Sequence, residues 1–149
     1  MFRRSVMEKE TNKTCTILLV EDTNDDVFLF RRMLARLDYR GDVRVVENGY
    51  HAKRYLLGEG EYRDRKYYPL PDMIVSDLKM PLMNGLEFLE WFRHQPEFNS
   101  IPVIIFSGAS EGVDKTRLRA LGARCYVEKP AAFEKMAEAG SQILAALKR

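Results

Sequence analysis

Several polar side chains stand at the ends of apolar runs, and their types suit metal and phosphate chemistry. Cys15-Thr16-Ile17-Leu18-Leu19-Val20 runs into Glu21-Asp22, Met73-Ile74-Val75-Ser76 into Asp77, Pro102-Val103-Ile104-Ile105-Phe106 into Ser107, and Arg124 to Val127 into Glu128-Lys129. Carboxylates brought together repel one another and raise each other's pKa unless a cation lies among them. On that ground, replacing Asp77 by Asn is expected to relieve crowding and stabilise the metal-free chain. A hard divalent ion such as magnesium resolves the repulsion with oxygen ligands, which suits Asp22 and Asp77, with Glu21 acting directly or through water. Zinc or iron is not expected, because there is no sulfur pair and His51 and His94 fall in predicted helices away from the strand ends. Beside such an ion, Ser107 offers a phosphate one hydrogen bond and Lys129 a full positive charge. The Asp77 carboxylate can then accept a phosphoryl group covalently. Catalysis of that transfer is mostly positioning and charge stabilisation.

The elements that would position these groups follow from the hydrophobic pattern. The short, continuous apolar runs suit strands buried on both faces, and Pro69, Pro71 and Pro81 bracket the one that ends at Asp77. Val27, Phe30, Leu34 and Leu37 recur at helical spacing after Thr23-Asn24, and Asp25 and Asp26 fall in that helix's first turn, where carboxylates favour the positive end whatever the function. Asp42 to Val46 reads as an edge strand and Asn48 to Leu57 as a helix. Further helices are predicted from Asn84-Gly85 to His94, from Gly112 to Leu121, and from Ala131 to Lys148 with Phe133, Met136, Ala137, Leu144 and Leu147 inward. Gly140 inside the last helix should cost about 1 kcal/mol relative to Ala. Five strands alternating with five helices argue a parallel sheet covered on both faces, a doubly wound α/β fold with right-handed crossovers. Glu21, Asp22, Asp77, Ser107 and Lys129 then all face the crevice at the carboxyl ends of the strands. The long connection from Gly58 to Pro71 should lie at the other end, its Tyr62, Tyr67 and Tyr68 forming either a partner surface or their own packing.

Length and composition bound the rest. A chain of 149 residues has room for one core: an arm over 1–13 without periodicity, then one domain over 14–149. A net charge of +2, spread along the chain, points to neither nucleic acid nor a membrane surface. No run nears the roughly 18 apolar residues of a membrane span, and Met1 to Thr14 lacks the apolar centre of a signal peptide, so a cytoplasmic location with Cys15 and Cys125 reduced is expected.

In their order and spacing, the motifs ILLVED, SDLKMP followed by Gly85, FSGAS and VEKP resemble those of the receiver domains of two-component response regulators, over about Thr14 to Leu147. The resemblance implies a flavodoxin-like, CheY-like sheet of order 2-1-3-4-5. That order would separate the Cys15 and Cys125 strands by roughly 14 Å, too far for an internal disulfide. It implies Asp77 as phosphoacceptor and Mg2+ held by Glu21, Asp22, Asp77 and the backbone carbonyl of Lys79. It also makes Ser107 and Lys129 the phosphate-binding groups, Tyr126 the aromatic switch residue and the Lys129-Pro130 peptide cis. The first helix and the long connection look most like small receiver-only regulators paired with phytochrome-type light-sensing kinases.

The implied partners are a sensor histidine kinase or phosphotransfer protein and a downstream protein target. With the last helix ending the chain, no DNA-binding output domain is expected, and pairing with a second copy stays open. Two rivals remain. An aspartyl-phosphate phosphatase would want a second acid two residues after its nucleophile, where Lys79 stands. A degenerate receiver acting only as an interaction module would typically have lost one of the acids or the lysine.

Overall fold

The apolar runs pair side by side in a computed structural model that describes residues 14–108 and 112–147. Strands β1 (Thr16–Val20), β2 (Asp42–Val46), β3 (Met73–Ser76), β4 (Val103–Ser107) and β5 (Cys125–Glu128) alternate with helices α1 (Asn24–Arg36), α2 (Gly49–Leu57), α3 (Gly85–Phe92), α4 (Lys115–Ala120) and α5 (Met136–Leu147). All pairings are parallel in the order β2-β1-β3-β4-β5, as expected. Both cysteines are free. The arm expected over residues 1–13 lies outside the described residues.

Strand alternation builds two cores. Leu18, Val20, Ile74, Val103 and Ile105 face α2, α3 and α4 through Tyr55, Leu56, Phe88, Leu89 and Leu118. Their neighbours Ile17, Leu19, Met73, Val75, Ile104 and Phe106 face α1 and α5 through Phe30, Met33, Leu34, Ala139 and Ile143. Central strands buried on both faces explain why their sequences are continuous in apolar residues rather than alternating.

Caps set the helix starts and shift some predicted bounds. Asn48 accepts from the His51 amide, Asn84 forms a reciprocal capping box with Glu87, and Asp114 accepts from the Arg117 amide, so α4 begins three residues after Gly112. α3 ends at Phe92, and α5 is preceded by a 3₁₀ turn over Phe133–Lys135. Ala137, expected inward, is exposed, and Ala139 and Gly140 take the buried face. Gly140 owes its place to the tight α1–α5 contact, since a Cβ there would lie 2.5 Å from Leu37 Cδ1 and 2.9 Å from Met33 Cγ.

The connection before β3 departs from the expectation that it lies only at the far end of the sheet. Gly58, at φ 67°, turns the chain back along α2, and the Tyr62 hydroxyl reaches His51 Nδ1 at 3.0 Å in the first turn of that helix. Tyr62 and Tyr68 pack edge-on to each other and around Tyr55, with centroids 5.3–5.8 Å apart, while Tyr67 stays exposed. The Arg65 guanidinium donates to the carbonyls of Tyr55, Leu56 and Tyr68 at 2.7–3.0 Å, which ties the connection to the end of α2. Glu61 and Tyr62 thereby line a groove of about 470 Å³ together with Glu21 and Asp22. Strand-end topology alone could not show this return.

Candidate functional site

The parallel ladder places the site. Val20 pairs with Ser76, so Glu21 and Asp77 leave neighbouring strands at one level, and the Asp77 amide still donates to the Val20 carbonyl at 3.1 Å. Ser107 pairs with Glu128, and the Lys129 amide donates to the Ser107 carbonyl at 2.8 Å. Four residues spread over the chain are thus brought to one crevice by backbone register.

Asp77 Oδ1 accepts from Ser107 Oγ at 2.8 Å and from the Leu78 amide at 2.6 Å, while Oδ2 accepts from Lys129 Nζ at 3.0 Å. Its side chain is 13% exposed, enough for one face to meet an incoming group. Glu21 is 3% exposed and accepts from Lys129 Nζ at 2.7 Å, with Oε2 at 3.3 Å from both the amide and the hydroxyl of Thr23. Asp22 is exposed. Glu21, Asp22 and Asp77 each offer an oxygen within 4.8 Å of the others, and this cluster contains no histidine, although His51 borders the adjoining groove.

The electrostatics follow from burial set against one ammonium. Burial alone would raise the Asp77 pKa, but the charge and hydrogen bond of Lys129, then Ser107 and the Leu78 amide, hold it below the usual carboxylate range. Burial pushes Glu21 up despite its bond to Lys129. Burial would lower Lys129, yet Glu21 and Asp77 together raise it, so it stays charged. The cation needed among the acids is therefore available within the chain. The sequence-based expectation had reserved that place for a metal.

Tyr126 is half-buried on β5, its pKa raised by burial and then by Glu128 and Asp77, with Lys115 Nζ 5.2 Å above its ring. The Lys79 side chain is exposed. The Lys129-Pro130 peptide, expected cis, is trans, as is every peptide bond among the described residues. Trans is favoured by about 0.5–1 kcal/mol before proline, and Lys129 reaches its carboxylates from that form. Sequence reading overlooked Asp26, whose Oδ2 lies 3.2 Å from Lys129 Nζ. Nothing in a first-turn acid distinguishes this role from ordinary helix-end placement.

A five-stranded parallel sheet of this order, with an acid cluster, a hydroxyl and a lysine at its carboxyl edge, defines a receiver-type signalling domain. Residues 17–140 match the response regulator receiver domain family, and the chain belongs to it. It is 29% identical over 123 residues to the response regulator Rcp1 of Synechocystis sp., covering 83% of this chain and 82% of that one. Among solved structures, the response regulator RPA3017 in red light signalling of R. palustris superposes with a TM-score of 0.79 at 26% identity, covering 86% of this chain and 90% of that one. The phosphorylated cyanobacterial phytochrome response regulator RcpA superposes at 0.77 with 30% identity, covering 89% and 96%.

Proposed function

We propose that the chain takes a phosphoryl group onto Asp77 from the phosphohistidine of a sensor kinase or phosphotransfer protein in the cytoplasm, and signals by protein contacts. The observation that carries this reading is the setting of Asp77: an ionised, partly accessible carboxylate flanked by a hydroxyl donor and an ammonium at the mouth of the sheet. An Asp77 oxygen attacks phosphorus, the P–N bond breaks, and its electron pair leaves with the imidazole, which takes up a proton. Ser107 and Lys129 then face the new phosphoryl oxygens with donors. Turned from Asp77 Oδ1 to a phosphoryl oxygen, the Ser107 hydroxyl would vacate space beside β5 into which Tyr126 can move.

The oxygen-only donor set of Glu21, Asp22 and Asp77 fits a hard divalent cation, with magnesium the ion proposed and the Lys79 carbonyl a further ligand. Such an ion would neutralise charge on the transferring phosphoryl group. Support for a phytochrome-type kinase as partner comes from the likeness to RcpA, a phytochrome response regulator, and to RPA3017, a response regulator in red light signalling.

Intact-mass spectrometry after incubation with acetyl phosphate and magnesium tests the reading. One hydroxylamine-labile phosphoryl adduct in the wild type, absent from Asp77→Asn, is expected. No adduct on the wild type would instead favour a module that only binds partners.

A further inference from the structure

Asp26 makes contacts that its place in the sequence does not require. As the third residue of α1 it could bond the open amides of its own first turn. Its Oδ2 accepts instead from Lys129 Nζ at 3.2 Å, across 103 residues of chain, and from Thr23 Oγ1 at 2.8 Å. Thr23 is the N-cap of α1, yet its side chain makes no bond to the helix backbone. The hydroxyl has one proton to give, and the 2.8 Å contact to Asp26 takes it over the 3.3 Å contact to Glu21. A capping residue is thus committed to aiming a carboxylate at the site lysine.

The three protons of Lys129 meet three carboxylates: Glu21 at 2.7 Å, Asp77 at 3.0 Å and Asp26 at 3.2 Å. Two of these, Glu21 and Asp77, belong with Asp22 to the cluster able to hold a cation, and Asp26 does not. A divalent ion on Glu21 and Asp77 therefore competes with Lys129 for carboxylate partners. The lysine side chain is only 15% exposed, so water cannot readily replace what it loses, and a second positive charge beside it adds repulsion. Asp26, at 37% exposure on the rim, is the partner that the ion leaves in place.

Resting on the metal reading above, we propose that Asp26 is a positioning residue that keeps hold of Lys129 when a divalent cation takes Glu21 and Asp77. It thereby lowers the cost of exchanging an internal cation for a bound one and leaves the ammonium beside Asp77, where an incoming phosphoryl group needs it.

Calorimetric titration of the full chain with Mg2+ at fixed ionic strength tests this. Asp26→Asn keeps shape and should weaken binding about tenfold, the size of one charge-assisted hydrogen bond. Loss of a nearby negative charge could weaken binding by itself, so the same substitution is also made in a Lys129→Met background. Action through the lysine predicts less than a twofold effect there. Equal weakening in both backgrounds, or none in the wild-type background, overturns the proposal. Thr23→Val provides a second route that leaves Lys129 and every charge untouched. Mis-aiming Asp26 should weaken Mg2+ binding roughly threefold, and unchanged affinity in this variant overturns the proposal even if Lys129→Met does not fold. Absence of Mg2+ binding to the wild type would overturn the metal reading itself, and this inference with it.

Discussion

Asp77 and Glu21 share Lys129, which lowers the pKa of both, but burial outweighs it at Glu21 while Asp77 also gains Ser107 and an amide. A folded-state pKa below the unfolded value, about 3.9 for Asp, means that ionised Asp77 stabilises the fold. Its contribution is present above that unfolded value and lost as pH falls through the lower folded one. The sequence-based expectation was that Asp77→Asn relieves crowding in the metal-free protein, whereas the pairing of Asp77 with Lys129 and Ser107 predicts the opposite. At pH 7 in chelator the substitution should cost about 1 kcal/mol, or roughly 3 °C in Tm, and the gap to wild type should shrink below about pH 4. Thermal melts at both pH values check this, and an equal or higher Tm for Asp77→Asn at pH 7 would contradict it. Residue types and strand ends made Glu21, Asp22, Asp77, Ser107 and Lys129 legible in the sequence. Asp26 was not legible, because its pairing with Lys129 depends on how α1 is set against β5.

The loop between β3 and α3 is held at both ends: the Gly85 amide donates to the Leu78 carbonyl at 2.9 Å, and the Gly49 amide donates to the Met83 carbonyl at 2.8 Å. Gly85 is where this element has no slack. A Cβ there would strike the Asp77 carbonyl oxygen and lie 3.0 Å from Leu78 Cα, backbone atoms that cannot rotate aside. Around Gly140 the intruded atoms belong to the side chains of Leu37 and Met33 and not to backbone. Gly85→Ala gains about 1 kcal/mol in helix propensity and loses about 1–3 kcal/mol to overpacking. The expected net is a loss of up to about 2 kcal/mol, together with slower labelling of Asp77 by acetyl phosphate, because the shift falls on its own backbone. Urea unfolding and labelling kinetics measure the two effects, and wild-type values in both would refute this account. At this scale the order of strands and helices was readable from periodicity. The return of the 58–71 connection was not, since it depends on the Gly58 turn, the tyrosine packing and the three carbonyls that Arg65 ties.

Across the whole molecule the sheet sets the hydroxyl that bonds Asp77 beside the strand that carries Tyr126. Ser107 ends β4 against β5, and Tyr126 lies two residues before the Glu128 that pairs with it. A shift of the Ser107 hydroxyl toward a phosphoryl oxygen would bias a pre-existing equilibrium of the tyrosine ring. Ser107→Ala should leave phosphoryl uptake on Asp77 measurable but abolish the accompanying change in the Tyr126 ring resonances. Ring shifts equal to those of the wild type would break that link.

The separation of Lys129 from Glu21 also bears on how the protein is made. Those partners stand 108 residues apart, so at roughly 5–20 residues per second a ribosome exposes Glu21 about 5–20 s before the lysine. During that interval the nascent chain carries a carboxylate destined for burial without the ammonium that pairs with it in the fold. Complete assembly of the charge cluster must then wait for the last strand, which makes chemical competence a late event in the birth of each molecule.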